Sequence, residues 1–156
     1  MKHTEINIDE NNRSELAIIL NSTLTKLIDL SLSTKHAHWN LRGSNFYALH
    51  KLFDDLYEKL PPLIDDVAER ISTLGYIAEG RLKNLSAQDK LSELTDVTGD
   101  LTVLASLTSL YVEFTSANRP NINKASDLGD EATADLLTEV QRETDLALWF
   151  LEGHKN

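Results

Sequence analysis

His38, His50, Asp54, Asp65 and Glu69 are side chains that bind metals, and all five fall between positions 38 and 69, with Trp39 beside the first. Imidazole and carboxylate donors together suit iron, zinc or manganese. A site built from them that keeps open positions can run redox or hydrolytic chemistry at the metal. His50 and Asp54 are four residues apart, as are Asp65 and Glu69, so on a helix each pair shares a face. Asp54 and Asp65 also share a side, but at eleven residues' separation they lie roughly 16 Å apart along a helix axis. Metal–ligand bonds of about 2 Å cannot span that distance. Either the two clusters serve unrelated purposes, or a second copy of the helix lies antiparallel and sets Asp65 and Glu69 of one chain opposite His50 and Asp54 of the other. The two-fold axis of that pairing passes near residues 59 and 60, and two identical shared sites result. His38, at the end of the preceding helical segment, can complete each one.

The elements that must position these residues are helical. Leu16, Ile19, Leu20, Leu24, Leu27, Leu30 and Thr34 recur every three or four residues and predict a first helix over 14–41, with Ser14 as its N-cap. Arg42-Gly43-Ser44-Asn45 breaks the pattern. Phe46, Leu49, Phe53, Leu56, Leu60, Leu63, Val67, Ile71 and Leu74 then carry a second helix to Gly75. Ser86-Ala87-Gln88-Asp89 resembles a capping box that opens a short connecting helix. Leu94, Val97, Leu101, Leu104, Leu110 and Phe114 predict a third long helix ending before Asn118-Arg119-Pro120, because proline disfavours helix at the residue before it. A fourth begins near 127–130 and runs through Leu136, Leu137, Val140, Ala147 and Leu151 to Gly153, with acids at its start where the helix dipole favours them. Two helices joined by a short loop, a long connection and two more make an all-α four-helix bundle with one crossover. The bundle is expected over 14–152, with short tails at 1–13 and 153–156.

Composition agrees with a single soluble domain. The chain has 156 residues, 41% hydrophobic and 26% charged, enough for one core and too few for two. No uninterrupted apolar run reaches the eighteen or so residues of a membrane span, and Met1-Lys2-His3-Thr4-Glu5 lacks a signal peptide's apolar stretch, so a cytoplasmic protein is expected. The absence of cysteine excludes disulfides and thiolate metal sites. A net charge of -10 repels phosphate backbones and suits the attraction of cations.

Lys35-His36-Ala37-His38-Trp39-Asn40-Leu41-Arg42-Gly43, then Phe46, His50-Lys51-Leu52-Phe53-Asp54, Asp65, Ala68-Glu69-Arg70 and Leu74-Gly75 resemble the Dps family, the miniferritins known as DNA-binding proteins from starved cells. The resemblance extends to Asp29-Leu30-Ser31-Leu32, Thr133-Ala134-Asp135-Leu136-Leu137 and Leu148-Trp149-Phe150-Leu151. It implies a ferritin-like bundle assembled into a hollow homododecamer around a mineral cavity. It also implies an iron-oxidising site in which one subunit supplies His38, His50 and Asp54 and its two-fold partner supplies Asp65 and Glu69. The implied chemistry is oxidation of Fe(II), typically by hydrogen peroxide rather than dioxygen, and storage as a ferric mineral that limits oxidative damage. Zinc is a possible substitute at the same site. Asp130, Asp135 and Glu139 fall where the family lines a three-fold pore for iron entry.

Other readings bear on the same residues. A His and an Asp four apart on a helix more often form a solvated face than a metal site, and it is the full set of five at family spacing that favours ligation. Asp66 lies four residues before Arg70, the spacing of a helix ion pair. Trp39 and Trp149 read as core residues, Trp39 packed near the site, while His36, His3 and His154 read as surface or chain-end residues. Pro61 and Pro62 sit mid-helix, where each removes a backbone donor, so a kink is expected near the proposed two-fold axis. A nucleoid-associated cage with little redox activity is the alternative function. Against it, residues 1–15 hold only Lys2 and Arg13 as cations, and the C-terminus adds only His154 and Lys155, so DNA binding is expected to be weak. A conventional ferritin is disfavoured because no glutamate has a histidine three residues on. Hydrolase signatures, a Gly-x-Ser-x-Gly elbow or a His-Glu-x-x-His helix, are absent.

Overall fold

Apolar residues at helical spacing can leave water only by meeting one another, and in the computed structural model they do so at the centre of a four-helix bundle. The structure describes residues 3–85, 90–95 and 98–154. The helices are α1 (Glu10–Asn40), α2 (Phe46–Thr73), α3 (Leu82–Leu85), α4 (Asp100–Asp127) and α5 (Glu131–Glu152). The pairs α1/α2 and α4/α5 pack most extensively, and α1 against α4 joins the two halves. Leu16, Leu20, Leu24, Leu27 and Leu30 of α1 meet Phe53, Leu60, Val67 and Ile71 of α2 and Leu107, Tyr111 and Phe114 of α4, all essentially inaccessible. Each such side chain contributes about 1.5–3 kcal/mol by leaving water.

α1 has the length and mean hydropathy of a membrane span, 1.3 over its most apolar window, although the sequence shows no uninterrupted apolar run of that length. Its leucine stripe forms the core of the bundle, and 56% of that window is buried. The helix starts four residues earlier than the sequence predicts. Asp9, rather than Ser14, is the N-cap, its side chain accepting from the Asn11 N–H at 2.9 Å. The expected boundary at residue 13 therefore falls inside α1, and Arg13 donates to the carbonyls of Ile8 and Leu74.

At the prolines, one helix is continuous and the other runs past its expected stop. α2 runs unbroken through Pro61 and Pro62, which are exposed, so the carbonyls left without helical donors can face water. α4 does not stop before Asn118 but continues through Pro120 to Asp127. Tertiary contacts override the proline there: the Asn118 amide donates to the Leu137 carbonyl and Gln141 Oε1, and Arg119 pairs with Asp145 at 3.0 Å, holding α4 against α5 just before Pro120. The start of α4 is also later than predicted, at Asp100, with Leu94 in the crossover and Val97 outside the described residues. The expected capping box at 86–89 likewise lies outside them, and the short helix that is described precedes it.

Side chains fasten the connections. Asp29 accepts from the Leu91 N–H at 3.1 Å and Glu113 accepts from the Ser92 N–H, pinning the crossover to α1 and α4. Asp100 accepts from both the backbone and side-chain nitrogens of Asn45, at 2.9 and 3.1 Å, tying the α1–α2 loop to the start of α4. Gly43 lies beneath that carboxylate at φ +141°, and a Cβ there would fall 2.4 Å from Asp100 Cγ. Only glycine fits this turn without strain.

Candidate metal centre

His38 occupies the last turn of α1 and is buried, while His50 lies one turn into α2 and is half-buried. The α1–α2 loop brings their rings into a stack with centroids 3.8 Å apart and planes 22° apart, and Phe46 stacks on His50 at 5.1 Å. Each histidine uses Nδ1 to reach the other's backbone carbonyl, His38 Nδ1 to His50 O at 2.8 Å and His50 Nδ1 to His38 O at 3.1 Å. A carbonyl only accepts, so both Nδ1 atoms carry the hydrogen. In the neutral rings, both Nε2 lone pairs are then left for a metal. This is the orienting hydrogen bond that ligating histidines characteristically make, and it fits the donor chemistry of an iron or zinc site.

Asp54 lies one turn beyond His50, with Oδ1 3.9 Å from His38 Nε2, too far for a hydrogen bond. Its close partner is Lys35 Nζ, at 2.5 Å from the same oxygen. The Lys35 hydrogen bond holds the Asp54 carboxyl below its ordinary value, against a smaller opposing effect of burial. Sequence reasoning did not single out Lys35 for a role. Its signal was the spacing to His38, three residues on, which sets both on one face of α1. The ammonium also sits 4.6 Å over the Tyr57 ring.

The structure brings His38, His50 and Asp54 to one end of the α1/α2 pair. Asp65 and Glu69 lie exposed farther along α2. Among the described residues of the single chain, no three histidine or carboxylate side chains come together as a metal site.

Three neighbouring expectations are corrected. Arg70 does not pair with Asp66; it turns to α5 and reaches both oxygens of Asp130 at 2.7 Å, with Nε donating to Thr133 Oγ1 at 2.9 Å. A buried carboxylate offers more to a guanidinium than exposed Asp66, whose charge water already solvates. Trp39 and Trp149 are not core residues of this chain, at 61% and 64% exposure. Ala37, His38 and Leu41 point inward, which leaves Trp39 on the outer side of α1, as Ala147 and Leu151 do for Trp149. His36 and His154 are at the surface, and His3 lies 3.3 Å from Glu5.

Of the three acids expected at a pore, Asp135 and Glu139 are exposed one turn apart on α5. Asp130 is only 4% exposed and caps that helix, accepting from the Thr133 N–H at 3.1 Å and from the Thr133 hydroxyl. Burial pushes its carboxyl upward, but Arg70 and Thr133 more than offset this and leave it below its ordinary value.

A bundle of this connectivity with imidazole and carboxylate donors on α1 and α2 is a ferritin-like domain, and the sequence model of that description matches residues 18–156. The DNA protection during starvation protein of Agrobacterium fabrum is 39% identical, over 97% of this chain and 94% of its own length. The protein of the same name from Mycolicibacterium smegmatis is 32% identical, over 94% and 80%. Among solved structures, DpsA14 from Streptomyces coelicolor superposes with a TM-score of 0.93 at 32% identity, covering 98% of this chain and 91% of that one. The Dps protein of Vibrio cholerae, described as a member of a broad superfamily of ferritin-like diiron-carboxylate proteins, gives 0.89 at 27% identity, covering 98% and 96%. The chain belongs to the Dps family of ferritin-like proteins.

Proposed function

We propose that the protein is a ferroxidase and iron store. It takes Fe(II) as substrate, oxidises it with hydrogen peroxide at sites shared between two-fold related subunits, and keeps the product as ferric mineral inside a homododecamer in the cytoplasm. The observation that carries this reading is the histidine pair, with both Nδ1 atoms committed to carbonyls and His38 Nε2 3.9 Å from Asp54 Oδ1. One subunit supplies His38, His50 and Asp54, and the other supplies Asp65 and Glu69, whose exposed carboxylates are hard oxygen donors suited to iron. Each Fe(II) gives up one electron and cleavage of the peroxide O–O bond takes two, so ferrous ions are consumed in pairs as peroxide becomes water. Removing both reactants together suppresses hydroxyl-radical formation. Zinc would compete for the same donors.

The assembly reading is supported by large apolar side chains that the single chain leaves in water, Trp39, Tyr47 and Trp149 among them, as surfaces for neighbouring subunits. Asp135 and Glu139 are proposed to draw iron toward the interior, with Asp130 fixing the start of their helix. The deciding experiment is anaerobic Fe(II) oxidation by stoichiometric hydrogen peroxide, followed optically with and without protein. Rapid oxidation into a soluble, protein-retained ferric core supports the reading, whereas precipitation at the protein-free rate refutes it.

The names of the relatives, DNA protection during starvation proteins, favour a second reading, DNA protection as the main role. Arg13 is held by backbone carbonyls within the fold, and few cations lie near either end of the chain, so association with DNA is expected to be weak at physiological salt. A clear gel shift of plasmid under those conditions would favour the second reading.

A further inference from the structure

A polar pocket of about 170 Å³ lies between α1 and α4, away from the metal-site residues, lined by Ser22, Thr23 and Lys26 of one helix and Phe114, Ala117, Asn118 and Asn121 of the other. Thr23 and Asn118 are each only 2% exposed, and Thr23 Oγ1 and Asn118 Oδ1 have no hydrogen-bond partner within the protein. The orientation of the Asn118 amide is fixed, because its nitrogen donates to both the Leu137 carbonyl and Gln141 Oε1. Its oxygen therefore has to accept. Leaving a buried carbonyl and a hydroxyl without partners is costly, and native interiors rarely tolerate it.

We propose that this pocket is a hydration site, holding ordered water that donates to Asn118 Oδ1 and exchanges hydrogen bonds with the Thr23 hydroxyl. The occupant must donate at one wall and meet a hydroxyl at another, beside an ammonium that donates to Ser22 Oγ at 3.1 Å. Water does all of this, whereas a carboxylate or halide has no hydrogen for Asn118. At about 30 Å³ per molecule the volume admits a cluster of about five or six, and the polar lining satisfies the requirement that a buried water find several partners. Half-buried Ser22 and Asn121 lie at the solvent side and fully buried Phe114 at the core side, so the cluster would run from the surface toward the bundle interior. It would bridge α1 and α4, one from each half of the fold.

A crystal structure of the assembled protein at high resolution, with Thr23→Val and Asn118→Leu variants melted at one scan rate, tests this. The expected result is water density within hydrogen-bond distance of both atoms in every independent subunit, with Thr23→Val lowering the apparent Tm by a few degrees as a bridged partner is lost. Two findings would overturn it: a pocket without density together with a Thr23→Val variant that melts higher, as removal of a dry orphaned hydroxyl should, or density for a solute other than water. If Asn118→Leu fails to fold, the near-isosteric Thr23→Val variant still decides the outcome.

Discussion

Replacing Arg70 with methionine removes the guanidinium while keeping much of the aliphatic stem, and it isolates a carboxylate that the fold has taken out of water. The Asp130 side chain is 3% exposed, and both of its oxygens accept from Arg70 at 2.7 Å. In Arg70→Met it would keep only the two donors of Thr133. Breaking a buried pair from one side costs about 3–5 kcal/mol. Arg70 is itself 18% exposed and Thr133 remains, so the low end, about 3 kcal/mol, is expected. For a chain of this size that lowers the Tm by about 10 °C, measured at fixed protein concentration and scan rate. Adding Asp130→Leu removes the stranded charge and should recover most of the loss, short of about 1 kcal/mol for the missing N-cap of α5. The pH dependence has a definite sign. The Asp130 carboxyl lies below its ordinary 3.8 in the folded protein, so its contribution is complete above that value and is lost as pH falls through the lower folded value. The gap between wild type and Arg70→Met should therefore narrow below about pH 4. A single variant within about 1 kcal/mol of wild type, or a double variant worse than the single, would refute the reasoning and reduce the pair to a surface contact.

The remaining predictions concern the site and the turn beside it. Glu69→Ala should abolish rapid ferroxidation while size-exclusion chromatography shows the assembly unchanged, and wild-type kinetics in that variant would remove Glu69 from the site. Lys35→Met should raise the Asp54 carboxyl toward its ordinary value and, by removing a competing cation, strengthen Zn(II) binding several-fold near neutral pH in a calorimetric titration; unchanged affinity would mean that Lys35 does not contend with the metal. Gly43→Ala should cost about 1–3 kcal/mol from backbone strain alone, read as a lowered Tm, because its φ of +141° and the adjacent Asp100 carboxylate leave no room for a methyl group.

The parts of the fold legible in the sequence were those set by local periodicity. The leucine stripe of α1, the Phe46-to-Ile71 stripe of α2 and the acid-capped start of α5 all appear where spacing placed them, within a few residues. What escaped was decided across the bundle. Pro120 reads as a helix stop, but Asn118 and Arg119 are anchored to α5 and carry α4 past it. Asp66 is the local partner for Arg70, but burial of Asp130 makes the distant carboxylate the stronger one. The tryptophans read as core because large aromatics usually are; their place on the outer faces is fixed by which neighbours point inward. The spacings of the histidines and carboxylates proposed as ligands were visible, but the exchange of carbonyls that sets both histidine tautomers depends on how α1 and α2 meet, and no linear pattern carries it.

The proposed division of the site between two chains follows the different costs of its donors. A histidine can be buried cheaply if one ring nitrogen is hydrogen-bonded, and His38 and His50 meet that condition within the single subunit, using backbone carbonyls that are present in any case. A carboxylate cannot, because a buried charge needs either an opposite charge or a metal. Asp54 is held by Lys35 in the single subunit, while Asp65 and Glu69 stay solvated on the outer face of α2. A chain that gathered all five donors for itself would have to fold around three converging carboxylates before any iron arrived. Dividing them lets each subunit fold with its nitrogen donors oriented and its acids hydrated or paired, so that the unfavourable convergence of charge is deferred to assembly, where metal can compensate for it.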